Sequence, residues 1–192
     1  MLRPVVLIIL IFMQTACSTY HMSSDPYIVG MRWFDRKYFD HAKNIWEPMA
    51  NASDCDAQYR MGTLYFLGTG VSKDYKIAHK WFSSAANQGQ AFAQHLLATM
   101  YAHGYTEIHT VEMKMAFNCL SGCDYEKNMM TAYQWEQLAI KGTPYEPYRD
   151  HVMKVTLEKI KKELTPEQVA KADSFVRSWQ PTPNQCQQRQ VR

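Results

Sequence analysis

Residues 57–89 read AQYRMGTLYFLGTGVSKDYKIAHKWFSSAANQG, and this stretch decides the fold. From Ala57 to Tyr65 its small and apolar residues follow helical spacing. Gly68 and Gly70 then supply the positive backbone angles that a tight turn between two helices needs. Asp74 can cap a second helix, which Gly89 ends. That helix has small and aromatic residues at helical spacing, namely Ala78, Trp81, Phe82, Ala85 and Ala86. The stretch predicts a hairpin of two antiparallel helices.

The pattern of this hairpin recurs at a distance of 36 residues. Ala42 precedes Ala78 by that distance, so the second helix of an earlier unit obeys the same period. In the other direction the matched pairs are Ala57 with Ala93, Gly62 with Ala98, Tyr65 with Tyr101, and Gly68 with Gly104. One offset shared by both helices indicates tandem repeats, and repeats of this size stack into a solenoid.

The third unit departs from this period after Gly104. The run from Ala132 to Trp135 matches the run from Ala78 to Trp81 if eighteen residues are inserted, which places an insertion at about 105–128. In an alternative register, residues 113–120 are the second helix of the third unit and the helix around Ala132 stands outside the repeats. The match at Trp135 favours the insertion.

The hairpin over residues 57–89 resembles the Sel-like repeat, a branch of the tetratricopeptide superfamily. The resemblance implies an all-α fold, a short right-handed solenoid of antiparallel helical hairpins over residues 26–142 with helices capping its C-terminal end. The residues expected to pack in and between the repeats are Ala57, Gly62, Tyr65, Gly68, Gly70, Ala78, Trp81, Ala85, Ala86, Gly89, Ala93, Ala98, Tyr101, Gly104, Ala132 and Trp135. Pro48 should bend or shorten the helix that contains it, because proline removes a backbone donor.

An export signal is predicted at the N-terminus. The uncharged apolar run from Val5 to Met13 is shorter than the roughly 20 residues that span a bilayer, and is typical of a signal peptide. Cys17 follows small residues and resembles the lipobox cysteine of bacterial lipoproteins, although Gln14 stands where that signal usually has Leu. We therefore expect a signal peptide over 1–16, a lipidated linker over 17–25 and an outer-membrane lipoprotein that faces the periplasm. The alternative is cleavage at the small residues around Ala16, which gives a soluble periplasmic or secreted protein.

The C-terminal part should close the solenoid. Pro144 and Pro147 end the repeats, and residues 143–180 predict two capping helices, the first from about Tyr148 to Leu164. The second starts at Thr165, with proline at the first helical position and Gln168 three residues after the cap. A solenoid needs such a cover over its last repeat. The glutamine-rich residues 181–192 predict a disordered tail.

Four cysteines remain after Cys17, and an even number in an oxidising compartment favours disulfides. Cys55 lies in a link between two hairpins, whereas Cys119 and Cys123 lie in the inserted segment at the other ends of the helices. Because a disulfide requires Cα atoms within about 7 Å, Cys55 should not pair with either of them unless the inserted segment folds down along the helices. A local Cys119–Cys123 bridge is favoured, which leaves Cys186 as the partner of Cys55. The alternatives are that Cys186 stays free or joins another molecule, or that all four thiols are unpaired.

The chemistry-bearing residues do not predict catalysis. The seven histidines are scattered and form no metalloprotease motif, and the one possible zinc set, His103 and His109 with Glu107 and Glu112, has the polarity of an ordinary surface loop. A net charge of +3 without a basic stripe does not indicate nucleic-acid binding. We expect no enzymatic activity, no cofactor and no metal.

The function implied by the resemblance is that of an adaptor in the bacterial envelope, which binds another envelope protein or complex and contacts the membrane through its lipid anchor. One alternative is a component of a flagellar motor or another appendage or secretion complex, since the segment around Tyr125 and Trp135 resembles MotX-type proteins. Another is a structural spacer without a defined protein ligand.

Overall fold

The computed structural model describes residues 25–103, 125–142, 147–182 and Cys186. Every regular element in this part of the chain is an α-helix, so the predicted all-α class is confirmed. The helices are α1 (Pro26–Asp35), α2 (Phe39–Asn51), α3 (Cys55–Leu67), α4 (Tyr75–Asn87), α5 (Ala91–His103), α6 (Tyr125–Gly142), α7 (Pro147–Lys161) and α8 (Pro166–Ser178). The predicted signal peptide, Cys17 and the Cys119/Cys123 pair lie outside the described residues.

The helices form a chain of antiparallel neighbours. From α1 to α6 each helix packs against the next one, and both α7 and α8 pack against α6. Contacts between sequence neighbours are what a stack of helical hairpins produces. The two last helices cover α6 as predicted, with Ile160 and Ala172 buried in one cluster with residues of α6.

Local hydrogen bonds set the starts of the helices as the sequence predicts. Asp74 Oδ1 accepts from the backbone N–H of Ile77 at 2.9 Å, and Asp54 does the same for Ala57. Thr165 and Gln168 form a complete capping box. Gly68 and Gly70 both have φ of +71°, so the turn between α3 and α4 uses the left-handed backbone for which glycine was expected.

The core follows the 36-residue period. Ala42 and Ala78 are fully buried at equivalent places on α2 and α4, and Ala132 is fully buried on α6. In the described residues α6 packs against α5 as α4 packs against α3, with eighteen additional residues between matched positions. Residues 113–120 lie outside the described part, so the choice between the two registers stays a prediction.

The first hairpin, α1–α2, packs its aromatic rings like the α3–α4 hairpin but has a shorter turn between its helices. Its central ring, Trp46, lies 6.2 Å from Tyr27 and 5.8 Å from Phe34, as Phe82 lies 6.2 Å from Tyr59 and 6.1 Å from Phe66. The α1 residues precede their α3 counterparts by 32 rather than 36, because the turn at 36–38 is four residues shorter than the turn at 68–74.

Two expectations about the ends of elements need correction. Pro48 does not shorten α2, which has 13 residues like α4, so the helix continues through the lost backbone donor. The first capping helix ends at Lys161 rather than Leu164. In the predicted disordered tail, Thr182 donates from both its backbone N–H and its hydroxyl to the carbonyl of Asn87, at 2.9 and 3.1 Å. The described start of the tail therefore returns to the second repeat.

The close approach of α3 and α4 gives a test of the repeat register. A Cβ added to Gly62 would lie 2.5 Å from two ring carbons of Phe82. Gly62→Ala should therefore lower the free energy of unfolding by about 1–3 kcal/mol, although alanine is the better helix former by about 1 kcal/mol. Urea unfolding would measure the change.

The matched control for this substitution is Gly142→Ala. A Cβ on Gly142 would meet Ala91 at an ordinary 3.4 Å, so this variant should be neutral or slightly stabilised. Equal stability changes in the two variants would contradict the packing of α3 against α4.

Candidate functional site

The predicted packing residues lie where the repeat pattern places them. The alanines and Gly62 are buried, whereas the aromatic residues are half-buried at the edges of the clusters. Tyr65 and Trp81 pack against the cluster of the first two units, and Tyr101 and Trp135 pack against the next. Gly104 lies outside the described residues. These side chains therefore build the array, and the sites with distinct chemistry involve other residues.

Two buried glutamines tie each hairpin to the one before it. Gln58 Nε2 donates to the carbonyl of Ala50 at 3.1 Å, and Gln94 Nε2 donates to the carbonyl of Ala86 at 3.1 Å. The sequence showed the recurrence of these glutamines at the 36-residue offset but did not reveal their role. A glutamine normally indicates surface, and only the spatial position of the preceding helix shows the bond.

The carboxamide oxygens of these glutamines differ in their surroundings. Gln58 Oε1 accepts from Gln88 Nε2 at 2.7 Å. In the next repeat the place of Gln88 is taken by Gly142, whose added Cβ would lie 3.9 Å from Gln94 Oε1. Gln94 is 1% exposed, and its Oε1 has no hydrogen-bond partner in the described part of the chain. A buried acceptor without a donor costs free energy, which makes this position unusual.

A cavity of about 390 Å³ adjoins this unpaired oxygen. Gln94 and Gly142 line it, together with apolar side chains from Leu138 and Val176 and the indole of Trp179. Exposed Lys141 and Arg177 also line it and bring positive charge. The cavity thus combines apolar walls, two cations and the buried carboxamide oxygens of Gln88 and Gln94.

A disulfide between Cys55 and Cys186 forms another part of this region. Their Cα atoms are 5.6 Å apart, and both residues are buried in the same core cluster. This is the pairing that the topological argument from the sequence favoured. Cys55 lies at a link between hairpins. The carbonyl of Asn87, which accepts the hydrogen bonds from the tail, lies at the same ends of the helices. The proposed Cys119–Cys123 bridge lies outside the described residues and stays a prediction.

The third repeat replaces an aromatic pair with an ionisable pair. Where Tyr59 meets Phe82 in the second repeat, His95 Nδ1 lies 2.9 Å from both carboxyl oxygens of Glu136. Glu136 is fully buried, and burial raises the pKa of its carboxyl, while the hydrogen bond and charge of His95 oppose the shift. The pair crosses from α5 to α6 and links the two helices of the third repeat.

His79 lies between the second and third repeats. It is half-buried, and its Nε2 lies 3.1 Å from the hydroxyl of Tyr101. Burial lowers the pKa of the imidazole and raises the pKa of the phenol. His79 therefore joins the second and third repeats through a hydrogen bond, and its burial favours the neutral imidazole.

Arg60 connects the first two repeats through aromatic rings. Its guanidinium carbon lies 5.8 Å from the ring centre of Tyr27, 5.9 Å from that of Trp46 and 5.2 Å from that of Tyr59. Its Nε donates to the hydroxyl of Tyr27 at 3.0 Å. These contacts stabilise the interface by cation–π attraction.

No group of three or more histidine, cysteine, aspartate or glutamate residues is arranged for a metal ion within the described ranges. Of the zinc set considered from sequence, only His103 is described. None of the described helices combines the length and the apolar character that a membrane span needs.

The family model of the Sel1 repeat matches residues 55–90 and 91–120. This chain contains two Sel1 repeats. The first match coincides with the α3–α4 hairpin and its following link, and the second begins at the first residue of α5. That second match includes residues 113–120, which the alternative register takes as the second helix of the third unit. The register and the bounds of the insertion therefore stay predictions.

A solved structure shows the same fold. It is the crystal structure of a protective antigen present in uropathogenic Escherichia coli strains, described as displaying an SLR fold. The similarity has a TM-score of 0.62 at 20% sequence identity and covers 80% of this chain but 29% of the antigen. The present chain thus spans less than a third of that protein's length. No curated protein matches the sequence.

The buried carboxyl of Glu136 predicts a pH-dependent stability. A pKa raised in the folded state means that the contribution of Glu136 to stability is fully present below the ordinary value of 4.5 and is lost as pH rises through the folded pKa. Glutamine keeps an acceptor for His95 but cannot ionise. The stability of Glu136→Gln relative to the natural protein should therefore increase above pH 4.5, by at most about 1.4 kcal/mol per pH unit.

Urea unfolding across the acidic to neutral range would measure this difference. Glu47→Gln is the control, because Glu47 pairs with Lys43 on the surface and its removal should change stability little at any pH. Parallel stability curves for Glu136→Gln and the natural protein would contradict the prediction.

Proposed function

We propose that this protein is a non-enzymatic scaffold of the bacterial envelope that binds another protein through its Sel-like repeats. The observation that carries the proposal is the array of helical hairpins with two Sel1 repeats, a family that generally mediates protein–protein interaction. Such arrays present extended surfaces to partners, and their function depends on shape rather than on a nucleophile.

The interior of the array has a structural role, which leaves the outer surfaces for binding. The buried glutamines, the His95–Glu136 pair and the aromatic contacts of Arg60 all join neighbouring helices. Exposed apolar side chains occur on several helices, including Leu67 on α3 and Phe175 on α8. These exposed side chains are accessible to a partner protein.

An envelope location is supported by two features. The N-terminal residues have the pattern of an export signal followed by Cys17. The Cys55–Cys186 disulfide is of a kind that persists in oxidising compartments such as the periplasm. We therefore propose that the protein lies at the outer membrane, anchored by a lipid on Cys17 and facing the periplasm.

Site-specific photocrosslinking tests the scaffold function. Benzoylphenylalanine is placed in cells at Leu67 on α3, Lys80 on α4 or Phe175 on α8, three exposed positions. At least one position should give a discrete adduct with another protein, and excess purified protein without the crosslinker should compete it away. If folded protein gives no discrete adduct at any position, the scaffold function is wrong and the spacer alternative is favoured. An adduct with a flagellar or secretion component would identify the appendage complex as the partner.

Metabolic labelling with a palmitate analogue tests the anchor. The natural chain should be labelled and sediment with membranes, whereas Cys17→Ser should lose the label because the acceptor thiol is absent. Cys186→Ser serves as a control for nonspecific acylation of cysteine and should keep the label. Equal labelling of the natural chain and Cys17→Ser would rule out lipidation at this residue.

A further inference from the structure

We propose that the cavity between α5, α6 and α8 binds a tyrosine or tryptophan side chain of the partner, next to a carboxylate of the same partner. The inference rests on the proposed scaffold function and names the chemistry that the scaffold recognises. It starts from the cavity of about 390 Å³, which falls in the range of roughly 300–1,000 Å³ typical of ligand sites.

The first requirement for an occupant is a hydrogen-bond donor. Gln94 is 1% exposed and lines the cavity, and its Oε1 is unpaired. The Nε2 of Gln94 donates to the carbonyl of Ala86, as the Nε2 of Gln58 donates to the carbonyl of Ala50. That repeated bond fixes which end of the carboxamide is the oxygen. The oxygen therefore needs an N–H or O–H group, as Gln88 supplies for Gln58.

The second requirement is a large apolar body behind the donor. The walls contributed by Leu138 and Val176 are apolar, and Trp179 offers an aromatic surface. Tyrosine and tryptophan combine a ring with a single polar group at its far edge, and that group normally finds a partner when the ring is buried. Aromatic anchors of this kind contribute much of the affinity at protein interfaces. Gln94 Oε1 is closed to solvent, so the atoms that cover it at the cavity wall must shift when the donor binds.

The third requirement is negative charge close to the ring. Lys141 and Arg177 are exposed residues that line the cavity on α6 and α8. A carboxylate next to the anchor would be held by both cations, and arginine can bind it through two parallel hydrogen bonds. The occupant is thus an aromatic residue with a donor group, flanked by an acidic group.

Small probes separate these three requirements. The amides of N-acetyltyrosine and N-acetyltryptophan carry a donor on the side-chain ring. The amide of N-acetylphenylalanine has the same amide groups but no ring donor, and it is the control. Binding to the full mature chain is followed by the amide resonances of Gln94 in ¹⁵N spectra. Tyrosine or tryptophan amide should bind about five- to tenfold more tightly than phenylalanine amide. The corresponding free acids should bind more tightly still, and Lys141→Ala with Arg177→Ala should remove only that additional gain.

Gly142→Gln provides a variant that leaves Gln94 untouched. It introduces at the third repeat the side chain that Gln88 supplies at the second, so it should satisfy Gln94 Oε1 and abolish the preference for tyrosine and tryptophan. Gly142→Ala is its matched control: it adds a Cβ but no donor, so the preference for tyrosine and tryptophan over phenylalanine should remain, whatever its effect on the affinity for all three probes.

Several results would overturn the inference. Phenylalanine amide binding as tightly as the tyrosine and tryptophan amides would show that no donor is recognised. If Gly142→Gln still prefers the tyrosine and tryptophan amides, the probes bind elsewhere. If Gly142→Gln differs from the natural chain and Gly142→Ala in its oligomeric state by sedimentation, the occupant of the cavity is a second copy of this chain. The scaffold function is tested separately, since photocrosslinked adducts without specific probe binding would leave that function standing and remove only this site.

Discussion

Gly62 lets the ring of Phe82 lie directly against the backbone of α3, and the geometry of the second hairpin depends on this contact. The same arrangement recurs in the first hairpin, where a Cβ on Gly30 would collide with the indole of Trp46. When two helices approach this closely, a large ring on one helix fills the space that a missing side chain leaves on the other. Small residues at these positions therefore set the distance between the helices, and the next hairpin can then reach its neighbour with a single glutamine.

The sequence predicts this framework because its signals are local and periodic. Alanine, glycine and aromatic positions recur at fixed offsets, and Asp74, Thr165 and Gln168 act within one helical turn. The polar residues that matter most could not be found in this way. Gln94, His95 and Glu136 are typical surface residues in a sequence, and their hydrogen bonds are formed with partners on other helices. The shorter first turn was also missed, since a constant period hides a change of four residues in a loop.

The pairing of Cys55 with Cys186 could be inferred because topology limits which ends of helices can meet. The links between hairpins lie at one set of helix ends, and the tail returns to that side after α8. The cavity could not be inferred from the same reasoning. It exists because α6 ends in Gly142 where α4 is followed by Gln88, a difference that becomes visible only when the two repeats are compared in space.

The disulfide also determines how the protein carries tension. Cys55 and Cys186 lie 131 positions apart in the sequence, and their disulfide closes a covalent ring. This ring contains every helix from α3 to α8. If the chain is pulled by its two ends, the load passes across the sulfur–sulfur bond and cannot extend the polypeptide inside the ring. Only α1, α2 and the terminal segments can lengthen. A molecule held to a surface at one end and attached to a moving assembly through its repeats would thus keep its binding surfaces from α3 onward in shape under force.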